Sequence, residues 1–183
     1  LINKFPEIKI PNKFYKNNGN LTFSDEEENV EGSQPTFSNG TVYADFDNDG
    51  FKDLFVSNGY RQDITNLDFV LYGKRALFVG TPEANRKERI DQLKKFPGIQ
   101  VPNYLFKNNG NLTFKDATAN SGLNDASYSN GAAYGDLDND GDLDLVINNL
   151  DETAFVYENK SDKITPRQNW LRINFKGPNG NRD

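Results

Sequence analysis

The chain has 183 residues, a formal net charge of −6, and 35% hydrophobic and 13% aromatic residues. This length is enough for one domain, and the aromatic content is enough for a core built on Phe, Tyr, Leu and Val. The acidic balance argues against nucleic acid or an anionic membrane as a partner, because both require basic patches. Cysteine is absent, which excludes disulfides and thiol chemistry. No apolar run is long enough to span a bilayer.

The first predicted element is a β-hairpin over residues 13–24. Its turn reads Asn-Asn-Gly-Asn, and an Asn-Gly pair suits a tight hairpin because both residues tolerate a positive φ. The segment 11–23 recurs as 102–114, an offset of 91 residues, and Ser38-Asn39-Gly40 recurs at the same offset as Ser129-Asn130-Gly131. A gapless repeat of this length predicts two copies of one structural unit.

Each unit is predicted to consist of four short strands in an antiparallel arrangement. The apolar runs are too short for helices and are bounded by turn residues. The predicted strands cover residues 41–46, 53–58, 103–107 and 112–116 in one unit, and 132–137, 143–148 and 153–158 in the next. Four-stranded antiparallel units in series predict an all-β fold of about two to three β-propeller blades.

An insertion over about residues 60–101 separates two strands of the first full unit, and we predict one helix within it. Thr81 followed by Pro82 is a favourable helix start, with Thr as the N-cap and Pro at the first position. Three apolar residues between 90 and 96 then share one helical face, and Pro97-Gly98 ends the helix. The simplest role for this helix is to cover one end of a blade.

Two acidic loops carry the strongest functional signal. Each reads Asp-x-Asp-x-Asp-Gly-x-x-Asp, so that four carboxylates and the carbonyl of position 7 can converge after a sharp bend at the glycine. Hard oxygen donors at loose geometry favour calcium over magnesium, and the chain has no His or Cys for zinc. The alternative is a solvated acidic turn, but four carboxylates in nine residues repel strongly without a cation. The predicted ligands of two calcium ions are Asp45, Asp47, Asp49, Asp53 and the carbonyl of Phe51, and Asp136, Asp138, Asp140, Asp144 and the carbonyl of Asp142.

An EF-hand also opens with this pattern, but it requires a bidentate Glu at position 12 and a helix on either side. Position 12 is Val56 in one loop and Ile147 in the other. Both residues lie in short apolar runs that are predicted to be strands. The EF-hand interpretation therefore fails on both requirements.

The loop followed by Asp-Leu-Phe-Val or Asp-Leu-Val-Ile, a strand, an Asn-Gly hairpin and Leu-Thr-Phe resembles FG-GAP/VCBS repeats. That resemblance implies calcium-binding blades of an integrin-α-like propeller over residues 1–168. The tail 169–183, which opens Asn-Trp-Leu-Arg-Ile-Asn-Phe-Lys-Gly, looks like the truncated start of an ASPIC/UnbV domain. The pairing is similar to the cartilage acidic protein-like family and to surface or secreted proteins of Bacteroidetes-type bacteria. A closed propeller needs more blades than this chain holds, and we expect the chain to be a segment of a longer polypeptide.

The expected function is a calcium-stabilised binding or scaffold module without enzymatic activity. The resemblance implies a protein or glycan ligand and an extracellular, cell-surface or periplasmic location, where calcium is abundant enough to fill weak sites. The alternative is an accessory part of a polysaccharide-acting enzyme, whose general base would have to be a carboxylate, Tyr or Lys. Tyr60, Arg61 and Asp63 follow a blade strand and are the candidate ligand-binding residues, although a salt-bridged surface loop is the simpler interpretation.

Overall fold

The structure is a computed structural model that describes residues 12–31, 36–61, 98–163 and 173. Within these ranges nearly all regular structure is β, arranged as three antiparallel sheets. The predicted helix in the insertion lies outside the described residues, and so does the predicted second domain apart from Ile173. The all-β class is confirmed.

The three sheets follow one another along the chain, and within each sheet the strands are hydrogen-bonded in chain order. We name them blade 1, blade 2 and blade 3. Blade 1 is a hairpin of β1 (Tyr15–Asn17) and β2 (Phe23–Asp25). Blade 2 contains β3 (Ser38–Ala44), β4 (Asp53–Asn58), β5 (Tyr104–Asn108) and β6 (Phe114–Asp116). Blade 3 contains β7 (Ser129–Gly135), β8 (Asp144–Asn149) and β9 (Phe155–Tyr157). This order is that of a partial, propeller-like fold.

The first strand of each full unit begins and ends earlier than predicted. β3 ends at Ala44 rather than at residue 46, because the Phe46 amide donates to Asp53 Oδ2 at 3.1 Å instead of joining the strand ladder. β7 ends at Gly135 for the same reason, since the Leu137 amide donates to the equivalent carboxylate at 2.8 Å. The apolar residue after the first Asp therefore belongs to the loop.

The repeated Ser-Asn-Gly motif forms a β-bulge at the start of these strands. Ser38 is paired with Asn58 and Gly40 with Ser57, which leaves Asn39 as the extra residue. Its side-chain amide donates to the carbonyl of Gly59 at 2.6 Å and to that of Ser129 in blade 3 at 2.7 Å. The bulge at Asn39 therefore connects neighbouring blades, and the same bulge recurs in blade 3 between Ser129 and Gly131.

The core lies between the blades because alternate residues of β4 face opposite sides of its sheet. Phe55, which is fully buried, packs against blade 3, where the cluster includes Leu145 and Ile147. Val56 points the other way into a cluster with Phe106 and Phe114. Blade 2 is thus held on both faces, and this arrangement sets the positions of the two acidic loops.

The sequence did not predict the short helical turns of the described part. A one-turn helix, α1 (Thr118–Ser121), follows β6, and Gly122 ends it with a φ of 78°. A left-handed residue after the last helical turn is the usual place for glycine. Two 3₁₀ turns span Glu27–Asn29 and Ser161–Lys163. Among the described residues, no helix is long and apolar enough to cross a membrane.

Candidate metal centre

Both acidic loops connect the first and second strands of a blade, so they lie at the same end of neighbouring blades. We name residues 45–53 loop 1 and residues 136–144 loop 2. In each loop three carboxylates converge, with one oxygen of each lying within 4.8 Å of the others. The converging residues are Asp45, Asp47 and Asp49 in loop 1, and Asp136, Asp138 and Asp144 in loop 2. Oxygens at this spacing can share one calcium ion, whose bonds to oxygen are about 2.3–2.6 Å long.

The backbone of loop 1 is curled by its own aspartates. Asp45 accepts hydrogen bonds from the amides of Asp49 at 3.1 Å and Gly50 at 3.0 Å, which draws the middle of the loop back over its first residue. Gly50 has a φ of 90°, and Gly141 at the same position of loop 2 has a φ of 98°. Such values favour glycine, so the predicted bend at position 6 is confirmed.

The last aspartate of each loop links the loop to a neighbouring segment, and in loop 2 it also belongs to the converging set. Asp53 is buried and accepts two backbone hydrogen bonds, from Phe46 at 3.1 Å and from Asn108 at the end of β5 at 2.9 Å. Asp144 is bound in the same way by the amides of Leu137 and Asn159, both at 2.8 Å. We call this arrangement the carboxylate clasp. It ties the start of the loop to the third strand in blade 2, and to the segment that follows the third strand in blade 3.

Burial and the crowding of carboxylates raise the pKa of several loop residues. Burial raises the pKa of Asp53 to about 6, the charges of Asp47 and Asp49 act in the same direction, and the two backbone hydrogen bonds oppose the shift. Burial also raises the pKa of Asp45, with further repulsion from Asp49 and Asp47. A divalent cation at the point of convergence would remove this penalty by favouring the charged carboxylates.

The donor set of loop 2 fits a hard cation. Asp140 uses Oδ1 to accept the amide hydrogen of Asp142 at 3.0 Å, whereas its Oδ2 is shielded from solvent and accepts no hydrogen bond. A shielded carboxylate oxygen without a donor is costly unless a cation binds it. The three converging ligands are also carboxylate oxygens, and calcium prefers hard oxygen donors of this kind. Asp140 is not among the three residues that converge, and its role as a fourth ligand stays a prediction.

The structure places a lysine against loop 1 that the sequence did not indicate. The Lys107 ammonium on β5 contacts the carboxylate of Asp47 and lies 3.2 Å from Asp49 Oδ2. Partial desolvation acts to lower the pKa of Lys107, but its hydrogen bonds and the charges of both aspartates outweigh it and raise the pKa. Lys107 is therefore a permanent cation next to the predicted calcium ligands.

The two loops are in direct contact. The side-chain amide of Asn48 in loop 1 donates to Asp142 Oδ1 in loop 2 at 2.7 Å, and Asp142 is only 1% exposed. Asp142 was predicted to contribute its backbone carbonyl, and its side chain has this separate role between the loops. Phe51, the equivalent residue of loop 1, instead packs its ring so close to Gly110 that a Cβ there would lie 2.8 Å away.

The candidate ligand-binding residues lie at the opposite end of blade 2. Arg61 donates to Asp151 Oδ2 at 2.8 Å, and its guanidinium carbon lies 5.6 Å from the centre of the Tyr128 ring. Tyr60 is half-buried and forms an antiparallel bridge with the segment that returns from the insertion. Asp63 lies outside the described residues. The contacts of Tyr60 and Arg61 bind the blade end together, and ligand binding by these residues stays a prediction.

The comparison with protein families identifies one repeat. Residues 97–147 match the family model of an FG-GAP-like repeat. The matched segment includes the second half of blade 2, the first strand of blade 3 and all of loop 2. A search of the curated proteins found no match. The FG-GAP-like segment supports the repeat level of the resemblance, whereas the ASPIC/UnbV tail and the bacterial group stay predictions.

Proposed function

We propose that the chain is part of a calcium-stabilised binding or scaffold module that functions outside the cytoplasm, with one ion in each acidic loop. The observation that carries this proposal is the convergence of three carboxylates in each of two loops that occupy equivalent positions of the repeat. The FG-GAP-like segment supports a propeller-type binding or scaffold module. The carboxylates that converge in each loop repel one another in the absence of a cation.

In this proposal the ions are structural rather than regulatory. Each loop joins two strands that are paired along their length, and the carboxylate clasp ties it to a third strand. Calcium therefore binds a preformed turn and has no groove to open. Its effect is to stabilise the folded chain by mass action, because the unfolded chain offers no equivalent site.

The ligand of the module is proposed to be a protein or a glycan rather than a nucleic acid, in keeping with the net charge of −6. A location at the cell surface, in the periplasm or in the extracellular medium provides the calcium that such loops require. The module is proposed to have no catalytic activity of its own. The loop carboxylates, which would be the obvious general bases, are occupied by the ions.

The test is calcium titration of the chelator-treated 183-residue chain by isothermal calorimetry, together with thermal melting. We expect two sites and a melting temperature that rises with calcium and is restored poorly by magnesium. Paired changes of Asp45 and Asp47 to Asn should remove one site, and the same change at Asp136 and Asp138 should remove the other. The matched control is Asp151→Asn, an exposed aspartate at the other end of the blades. Titrations without binding heat at millimolar calcium would overturn the proposal.

A further inference from the structure

Equivalent positions at the ends of the third strands of blades 2 and 3 hold residues of opposite charge. In blade 2, Leu54 of β4 is paired with Phe106 of β5, so that Lys107 is the next residue along the strand. In blade 3, Leu145 of β8 is paired with Tyr157 of β9. Glu158 therefore occupies the position beside loop 2 that Lys107 occupies beside loop 1. The clasps confirm this register, because the amide of the following Asn binds the clasp carboxylate in both blades.

Lys107 occupies the cation-binding region of loop 1. Its ammonium contacts Asp47 and Asp49, which are two of the three carboxylates that converge there. The side chain is 45% exposed, so the ammonium can move into solvent when another cation arrives. Loop 1 thus carries its own counter-ion, and the repulsion among its carboxylates is partly neutralised before any metal binds.

Loop 2 has no such lysine at the equivalent position. The Glu158 carboxylate there is paired with Lys160 at 3.7 Å, and both side chains are more than half exposed. An exposed pair at this distance is weak and is screened by salt. The residue at this position therefore brings no ammonium to loop 2, in contrast to Lys107 at loop 1.

We propose that the two loops differ in calcium affinity, with loop 2 the tighter site and Lys107 the residue that weakens loop 1. The ammonium of Lys107 stabilises loop 1 in the metal-free chain and is displaced when calcium binds there. Loop 2 therefore fills first as calcium rises. This inference rests on the proposed calcium binding and adds an order of filling that the shared loop motif alone does not contain.

The expected size of the effect follows from Coulomb's law. A monovalent and a divalent cation a few ångströms apart at a partly hydrated surface repel by enough to change an affinity about tenfold, after screening by salt. Replacing Lys107 with glutamine should therefore lower the calcium dissociation constant of loop 1 by about that factor. The same change should lower the melting temperature in chelator, because the metal-free loop loses its counter-ion.

The experiment measures each loop separately in the 183-residue chain by calcium titration calorimetry. The Asp136→Asn/Asp138→Asn background leaves loop 1, and the Asp45→Asn/Asp47→Asn background leaves loop 2. Lys107→Gln should tighten binding in the first background and leave the second unchanged. Lys16→Gln is the matched control, because Lys16 is the equivalent lysine of β1 in blade 1. Glu158→Lys should weaken loop 2 by a similar factor.

Each result bears on one of the two proposals. If loop 1 binds calcium as tightly with Lys107 as with glutamine, the inference about Lys107 is wrong while calcium binding stands. Tighter binding by loop 1 than by loop 2 in the otherwise unaltered backgrounds would also overturn it. Failure of both backgrounds and of the unaltered chain to bind calcium would overturn the proposed function itself. Melting in chelator gives a readout of Lys107 that does not require metal.

Discussion

Loops 1 and 2 have the same nine-residue pattern, yet their surroundings differ. Both bend at a glycine with positive φ and end in a carboxylate clasp. Loop 1 faces the ammonium of Lys107, whereas loop 2 has Glu158 at the equivalent position. In loop 2 the Oδ2 atom of Asp140 is shielded from solvent and accepts no hydrogen bond. The comparison shows that a local motif determines the shape of a cation site, while its neighbours on the next strand determine its charge.

The clasp is the feature that the two loops share most closely, and its removal should have the largest effect. Asp53→Ala and Asp144→Ala each leave two backbone amides without an acceptor, at a cost of about 1–3 kcal/mol per buried group. We expect each variant to lower the free energy of unfolding by about 2–6 kcal/mol, in chelator as well as in calcium. Urea denaturation of both variants measures this loss. A loss confined to calcium-containing buffer would show that the clasp acts only as a metal ligand.

The pH dependence of the metal-free chain should report on Asp53. Because burial raises its pKa to about 6, the folded chain holds the proton more tightly than the unfolded chain. The stability contributed by this group is therefore fully present below a pH of about 4 and is lost as pH rises to about 6. The shift corresponds to at most about 3 kcal/mol.

The measurement is the free energy of unfolding in chelator between pH 4 and 7, with Asp53→Asn as the control that cannot titrate. We expect the unaltered chain to lose stability relative to this variant as pH rises through the interval. Parallel curves of stability against pH for the two chains would contradict the raised pKa of Asp53. Saturating calcium should abolish the relative loss, because the ion favours the charged carboxylate.

Calcium itself should stabilise the chain by about 1.4–2.7 kcal/mol per site at 10–100 times the dissociation constant. At low calcium we expect most of this gain to come from loop 2. A chain with Asp138→Ala should therefore lose most of the increase in melting temperature at low calcium, and one with Asp47→Ala should lose it mainly at high calcium. If the two variants lose the same part of the increase in melting temperature at every calcium concentration, the proposed difference in affinity between the loops is wrong.

The contact between the loops should have the smallest effect. Asn48→Gly removes the hydrogen bond to the buried carboxylate of Asp142, while glycine still accommodates the φ of 58° at this position. We expect a loss of about 1.5 kcal/mol in the free energy of unfolding, at the lower end of the range for a hydrogen bond to a charged group. A double-mutant cycle with Asp142→Asn should show a coupling between the two residues. If the changes in the free energy of unfolding for the two substitutions simply add, the contact does not couple the two loops.

Several features of the fold could be predicted because they depend on nearby residues. The offset of 91 residues revealed the repeated unit, and the strand β4 was predicted at its observed bounds, Asp53–Asn58. The bend of each acidic loop follows from a glycine at position 6 and from aspartates that accept amides two to five residues away. Four carboxylates were predicted to converge in each loop, and three do so, without Asp53 in loop 1 and Asp140 in loop 2. Hydrogen bonds that close within one turn leave a readable pattern in the sequence.

Other features depend on which strands become neighbours, and only the tertiary structure decided them. The bulge at Asn39 matters through its contact with Ser129 in the next blade. Lys107 reaches loop 1 because β5 pairs with β4 after the long insertion, a register that no spacing in the sequence reveals. The sequence by itself determined the repeat and the two candidate cation loops. The charge beside each loop was decided by strand pairing, because electrostatic interactions depend on distance in space and not along the chain.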